Sequence, residues 1–243
     1  WIQLNRKSLI RDLNQDFLNF YKHRMNQNVD LQFDKPVLQL LCFTLSALAI
    51  LKGDLISEGK QIIDDYLNTN MQNDFEDRGV FLGSPGSGNY AMFKAILLYY
   101  RLHKLDGFGA AELSEWIDLH LSRANKFGFW GDNKSMQYLY FQNGYHQYEI
   151  FEVMGVSSAP WTTAASNTMI FSDALGHFAP YPGGGGCYDY DAVFMLTSPF
   201  VDNIGQIPIV EKTLNTILRE QNDDGGFCES KLIRSNRGFP RPI

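Results

Sequence analysis

Residues 221 to 227 read Gln221-Asn-Asp-Asp-Gly-Gly-Phe227, and two earlier stretches echo them. One is Gln72-Asn-Asp-Phe-Glu-Asp-Arg-Gly-Val-Phe81; the other is Asn125-Lys-Phe-Gly-Phe-Trp-Gly131. Each closes a helix with polar residues, then supplies a glycine and a large aromatic. Glycine takes the left-handed conformation that ends a helix. The aromatic is then expected to fold back and pack between successive helix pairs. Phe81, Phe129 and Phe227 stand 48 and 98 positions apart. A middle copy is therefore expected near residue 178, within Gly176-His-Phe-Ala-Pro-Tyr-Pro-Gly-Gly-Gly-Gly186. A period near 48 with two helices per unit is a helical-hairpin repeat.

The segments between these loops carry helical periodicity. Residues 9–25 place Leu9, Ile10, Leu13, Phe17, Leu18, Phe20 and Tyr21 at helical spacing. Asp34 and Pro36 open a second helix over 37–52, apolar nearly all round and so expected to be buried. Further helices are expected over 55–67, 89–103, 110–122, 137–154, about 162–175, from near Tyr188 to before Pro199, and over 207–221. The stretch after residue 67, with Gly79, Gly83, Pro85, Gly86 and Gly88, reads as a long polar loop. Alternation of period two is almost absent, which argues against a sheet. The expected fold is all-α.

Composition narrows the partners. Hydrophobic residues at 44% supply a sizeable core, and 20% charged residues argue against disorder. A net charge of −6, with no long basic run, disfavours nucleic acid as the main partner. The short patch of Arg234, Arg237 and Arg241 does not change that balance. Cys42, Cys187 and Cys228 are odd in number and widely spaced, so no disulfide framework is implied and a cytoplasmic location is expected. The longest apolar stretch falls short of a membrane span, and no signal peptide is seen. The chain begins at Trp1 rather than Met, so it reads as a piece of a longer chain or a processed product.

The stretch from Leu218 to Phe227 resembles the Q-x-x-x-G-aromatic repeat of the terpenoid cyclase and protein prenyltransferase superfamily. The similarity covers roughly residues 55–230. It implies an α/α toroid, with outer helices around inner ones and a pocket at the axis. The chain is then a single toroid domain over 1–243 with hairpin repeats of about 48 residues, its ring either incomplete or closed by further chain. The implied function is that of an enzyme with an axial pocket, terpenoid-type chemistry being the nearest analogy. Fold alone fixes no reaction.

Chemistry concentrates in two places. The first is Gly183-Gly-Gly-Gly-Cys-Tyr-Asp-Tyr-Asp-Ala192, which falls where the superfamily starts an inner helix. The D-x-D-D motif of class II cyclases has no intact register here. Asp189 and Asp191 are open to three readings: helix caps, an acid site, or metal ligands. Two residues apart on a helix, they do not face one another. Cys187 and Asp189 mirror, in reverse order, the Asp-x-Cys pair of prenyltransferase zinc sites. A site adding Cys228 and His146 or His177 is geometrically open but not signalled by spacing, so no cofactor is expected.

The second place is Asn143-Gly-Tyr-His-Gln-Tyr-Glu149. His146 and Glu149 share a helix face, so His146 can act as acid or base with Glu149 orienting it. Asp189, Asp191, His146 and Glu149 are the candidate catalytic residues. Tyr145, Tyr190, Trp130 and Cys187 are the candidate substrate contacts. Gly83-Ser-Pro-Gly-Ser-Gly88 lacks the lysine of a phosphate loop and reads as a turn. Aromatic residues at 14% suit carbocation stabilisation or sugar stacking equally. An isoprenoid-like or glycan-like small molecule is the expected ligand. Terpenoid chemistry is the first reading, a carbohydrate-active toroid the second, and a non-catalytic scaffold the third. A deep apolar cavity would favour the first, an open polar cleft with exposed aromatics the second, and an axis plugged by side chains the third.

Overall fold

The computed structural model describes residues 2–27, 34–181, 183–202 and 205–221. Ten α-helices and no strand occur among them. These are α1 (Ile2–Met25), α2 (Lys35–Ile50), α3 (Ser57–Leu67), α4 (Met71–Asp77), α5 (Ser87–Lys104), α6 (Ala110–Arg123), α7 (Tyr138–Val153), α8 (Trp161–Thr168), α9 (Cys187–Thr197) and α10 (Ile207–Glu220). No described helix is long and apolar enough to cross a membrane. The chain divides into two compact units. The first takes Trp1–Arg78 and Asn89–Leu119; the second takes Gly79–Gly88 and His120–Ile243.

In the first unit α1 packs on α2 and α3. Buried Asn14 explains the turn that follows α2. Its amide donates to the carbonyls of Ile10 and Asp54, and its oxygen accepts from the Ile56 N–H. Pro36 opens α2, with Asp34 at the cap position as expected. Asp34 makes no cap bond, however; its carboxylate pairs with Arg24 at 2.6 Å. The expected full burial of α2 also fails. Val37, Leu38, Leu41, Cys42, Leu45 and Leu48 are buried, while Phe43 and Ile50 are exposed.

The expected long loop after α3 contains helix α4. The Asn70 side chain accepts from the Asn73 N–H and starts that helix. Only Met71 and Phe75, one turn apart, are buried on it, too weak a periodic signal to stand out.

The second unit has an aromatic core. Phe129, Trp130, Tyr148, Phe151 and Trp161 are each at most 2% exposed. Their polar atoms are satisfied locally: the Trp130 indole donates to the His120 carbonyl and the Tyr148 hydroxyl to the Gly128 carbonyl. Helix α7 buries residues on several sides, from Tyr140 and Phe141 to Gly144, Gln147 and Tyr148. Helix α9 packs against α7, α8 and α10.

The loops singled out by spacing share a left-handed glycine, but Phe81 of the first copy is only half-buried. Gly79, Gly128 and Gly176 are left-handed, with φ of 63°, 84° and 94°. Phe129 and Phe178, which follow the last two, are fully buried. Phe178 lies at the position where the spacing expects a middle copy. The fourth copy lies, beyond Gln221, outside the described residues.

Candidate functional site

In the second unit Asp173, His177, Asp189 and Glu220 meet around the start of α9. Asp173 builds the loop before it, accepting from the N–H groups of Leu175, His177 and Gly183. Burial opposes a charge there, but those three bonds outweigh it and hold the Asp173 pKa below its ordinary value. Two α10 threonines fasten the same loop. Thr213 donates to the Gly176 carbonyl and Thr216 to the Leu175 carbonyl, each at 2.7 Å.

The glycine run is needed where it meets this loop. A Cβ on Gly185 would lie 2.5 Å from Asp189 Oδ2 and 3.0 Å from His177 Nδ1. Gly186, at φ 64° and ψ −130°, precedes α9 in a conformation that side chains exclude.

Asp189 is fully buried and does not cap α9, whose cap position is Gly186. The capping reading therefore fails for it. Its Oδ1 accepts from the Phe178 N–H at 2.8 Å, and its Oδ2 lies 2.7 Å from His177 Nδ1. His177 Nε2 faces Glu220 Oε2 at 3.4 Å. Burial pushes the Asp189 pKa up and would pull that of His177 down. For His177 the hydrogen bond to Asp189, with the charges of Asp189, Glu220 and Asp173, outweighs burial and raises it.

Asp191 faces elsewhere. It is 4% exposed, and its Oδ1 is buried without a hydrogen-bond partner. Burial first, then the charges of Glu149 and Asp189, push its pKa up to about 8, against a hydrogen bond from Tyr145. Its carboxyl is neutral at neutral pH. The α7 residues around it are Tyr138, Tyr145 and Glu149, spaced seven and four apart on one helix face. Burial and the Asp191 charge raise both Tyr138 and Tyr145, so both phenols keep their protons. The Tyr138 hydroxyl is buried without a partner. Rings complete the surround. Tyr138 meets Tyr188 edge-on at 5.9 Å and Phe171 at 5.4 Å, and Tyr145 meets Tyr190 at 6.4 Å.

Of the candidates, the structure gathers Asp191, Tyr145, Tyr190, Glu149 and His146. His146 Nδ1 is 3.7 Å from Glu149 Oε2, so the pair is close but not hydrogen-bonded. Trp130 is a core residue at 2% exposure, packed on Tyr148 and Phe151. Cys187 starts α9 and is exposed.

Of the residues in the zinc arrangement, two can be stated. Asp189 gives both oxygens to His177 and Phe178, and Cys228 lies outside the described residues. Among the described residues no group of three or more His, Cys, Asp or Glu is placed to hold a metal ion.

Sequence reading missed Tyr138 and Tyr188. The spacing of 138, 145 and 149 was available, but it marks a site only once α9 is known to pack on that face.

No protein-family model matches the chain, and no curated protein or solved structure is significantly similar to it.

Proposed function

We propose that the second unit is an acid–base enzyme that cleaves a glycosidic or similar C–O bond, with Asp191 as general acid and Glu149 as general base. The observation that carries this reading is a neutral buried carboxyl beside a second, half-buried one that helps hold it neutral. Two carboxyls in contrasting environments are the usual means of running acid and base chemistry together. The surround fits a sugar. Tyr190 is 59% exposed, and Tyr145 and Tyr188 are half-buried, leaving ring surface for stacking.

The helix arrangement is proposed to be of the α/α-hairpin toroid type within this unit. Helices α7 and α9, apolar on several sides and packed on each other, serve as inner helices, and amphipathic α10 serves as an outer one.

Aromatic rings around Asp191 favour a second reading. The same proton delivered to an isoprenoid alkene would leave a cation facing Tyr138, Tyr145 and Tyr188.

The test is turnover of a 4-nitrophenyl glycoside panel and of a polyprenyl diphosphate by the wild type, Asp191→Asn and Glu149→Gln. Release of 4-nitrophenol by the wild type, falling at least a hundredfold in each variant, is expected. Its rate should decline above about pH 8, as Asp191 ionises. Turnover of the polyprenyl substrate alone would replace the first reading with the second. Turnover of neither would sink both.

A further inference from the structure

Two polar atoms beside α9 have no partner: Oδ1 of Asp191 and the hydroxyl of Tyr138. Buried polar groups are almost always hydrogen-bonded, so an orphan is a question about what is missing. Two orphans on helices that pack together, α7 and α9, ask it jointly.

Both are donors. The Asp191 carboxyl carries its proton at neutral pH, and the Tyr138 phenol stays protonated well beyond it. The two do not satisfy each other, since neither accepts from the other in the structure. Ring contacts to Phe141, Phe171 and Tyr188 hold the Tyr138 phenol in place. Fixed rings leave little freedom for the hydroxyl to turn to another partner.

We infer that Tyr138 and Asp191 grip one and the same oxygen of the substrate, an ether, acetal or hydroxyl oxygen, Tyr138 as a second catalytic donor. An sp³ oxygen has two lone pairs and accepts from both donors at once. An alkene carbon has no lone pair and leaves the phenol unsatisfied. The inference deepens the first proposed reading and rests on it. In the bond-breaking step, the C–O electron pair passes to that oxygen, which takes the proton from Asp191 Oδ1 and leaves as an alcohol. Tyr138 keeps its proton and stabilises the charge building on the oxygen. Water adds to the carbon and its proton goes to Glu149.

The test uses Tyr138→Phe, which keeps the ring and removes only the hydroxyl. Protein labelled with 13C at the aspartate carboxyl gives an infrared C=O band, assigned to Asp191 by its loss in Asp191→Asn. Glycerol is the probe. It should shift that band in the wild type, and in Tyr138→Phe the shift should need at least tenfold more glycerol, with an unchanged melting temperature. An equal response in the variant, or none in the wild type, overturns the inference.

Activity supplies a separate readout. Against glycosides with poor leaving groups, Tyr138→Phe should lose about tenfold or more in kcat, with little loss against 2,4-dinitrophenyl glycosides. A merely structural role would depress both equally, and that result also overturns the inference. A protein whose Asp191 band responds to glycerol through Tyr138, but which hydrolyses no glycoside, keeps the shared oxygen site and loses the proposed reaction together with the catalytic role of Tyr138. Hydrolysis unaffected by Tyr138→Phe has the opposite meaning.

Discussion

His177 Nδ1 stands 2.7 Å from Asp189 Oδ2, and neither side chain is reached by solvent. The imidazole therefore joins three parts of the second unit: its own loop, the first turn of α9 through Asp189, and the end of α10 through Glu220 at 3.4 Å. Removing one partner of such a pair leaves a buried charge or acceptor alone. His177→Ala is expected to cost about 3 kcal/mol in urea unfolding near pH 6. The pKa of His177 is raised, so its contribution is complete below the ordinary value of 6.5 and fades as pH rises through the folded value. The gap between wild type and variant should narrow toward pH 9. A gap constant with pH would show that packing, not charge, holds the loop.

Gly185 makes that pair possible, which gives a second prediction. A methyl at this position would enter the space of Asp189 Oδ2 and His177 Nδ1, both fixed by other bonds. Gly185→Ala should destabilise by about 1–3 kcal/mol, as overpacking does. Combined with His177→Ala, the two losses should add to less than their sum, because both break one contact. Full additivity in a double-mutant cycle would separate the glycine from the pair.

Left-handed glycines were the legible feature of the loops singled out by spacing. Glycine and aromatic at a fixed interval state a backbone conformation and a burial together, and Phe129 and Phe178 obey both. The ends of α7, α9 and α10 were readable from periodicity to within a residue or two. The three readings of Asp189 could not be separated from sequence, which shows the helix start but not the loop that folds over it. That loop brings in the Phe178 amide, twelve residues before the helix's Tyr190. Asp191 was placed among the acids, but its neutrality depends on burial and on Glu149, 42 positions earlier, which no local pattern encodes. The burial of α2 was overread: an all-apolar helix need not find cover for Phe43 and Ile50.

Lys94 offers a test confined to the first unit. Its ammonium is buried, donating to the Tyr66 carbonyl at 3.0 Å and the Thr69 hydroxyl at 2.6 Å, with Asp74 at 3.8 Å. It thereby ties α5 to the end of α3 and the start of α4. Burial lowers its pKa, with Asp74 opposing. Lys94→Met keeps the stem and should cost about 1–3 kcal/mol, since two acceptors lose their donor. Thermal melting checks it; an unchanged or raised melting temperature would mean that desolvating the ammonium outweighs its bonds.

Asp191 should make the protein less stable than it could be, with a definite pH signature. Its folded pKa is about 8, against an ordinary 3.8. Below pH 4 the carboxyl is protonated folded or unfolded, and it adds nothing to pH dependence. As pH rises from 4 to 8 the unfolded chain ionises while the folded one does not, so stability is lost across that window. Asp191→Asn removes the titration. Urea unfolding should show the variant more stable by about 2–4 kcal/mol at pH 7, with the advantage gone at pH 4. Glu149→Gln should act through the same group. Loss of its charge lowers the Asp191 pKa, because Glu149 is the largest cause of the rise after burial. The pH dependence of stability should then be shallower and end at lower pH than in the wild type. A steep profile that survives Glu149→Gln, or an Asp191→Asn variant that is weaker at pH 7, would show that Asp191 is a structural acid held by bonds rather than a proton donor held at a cost.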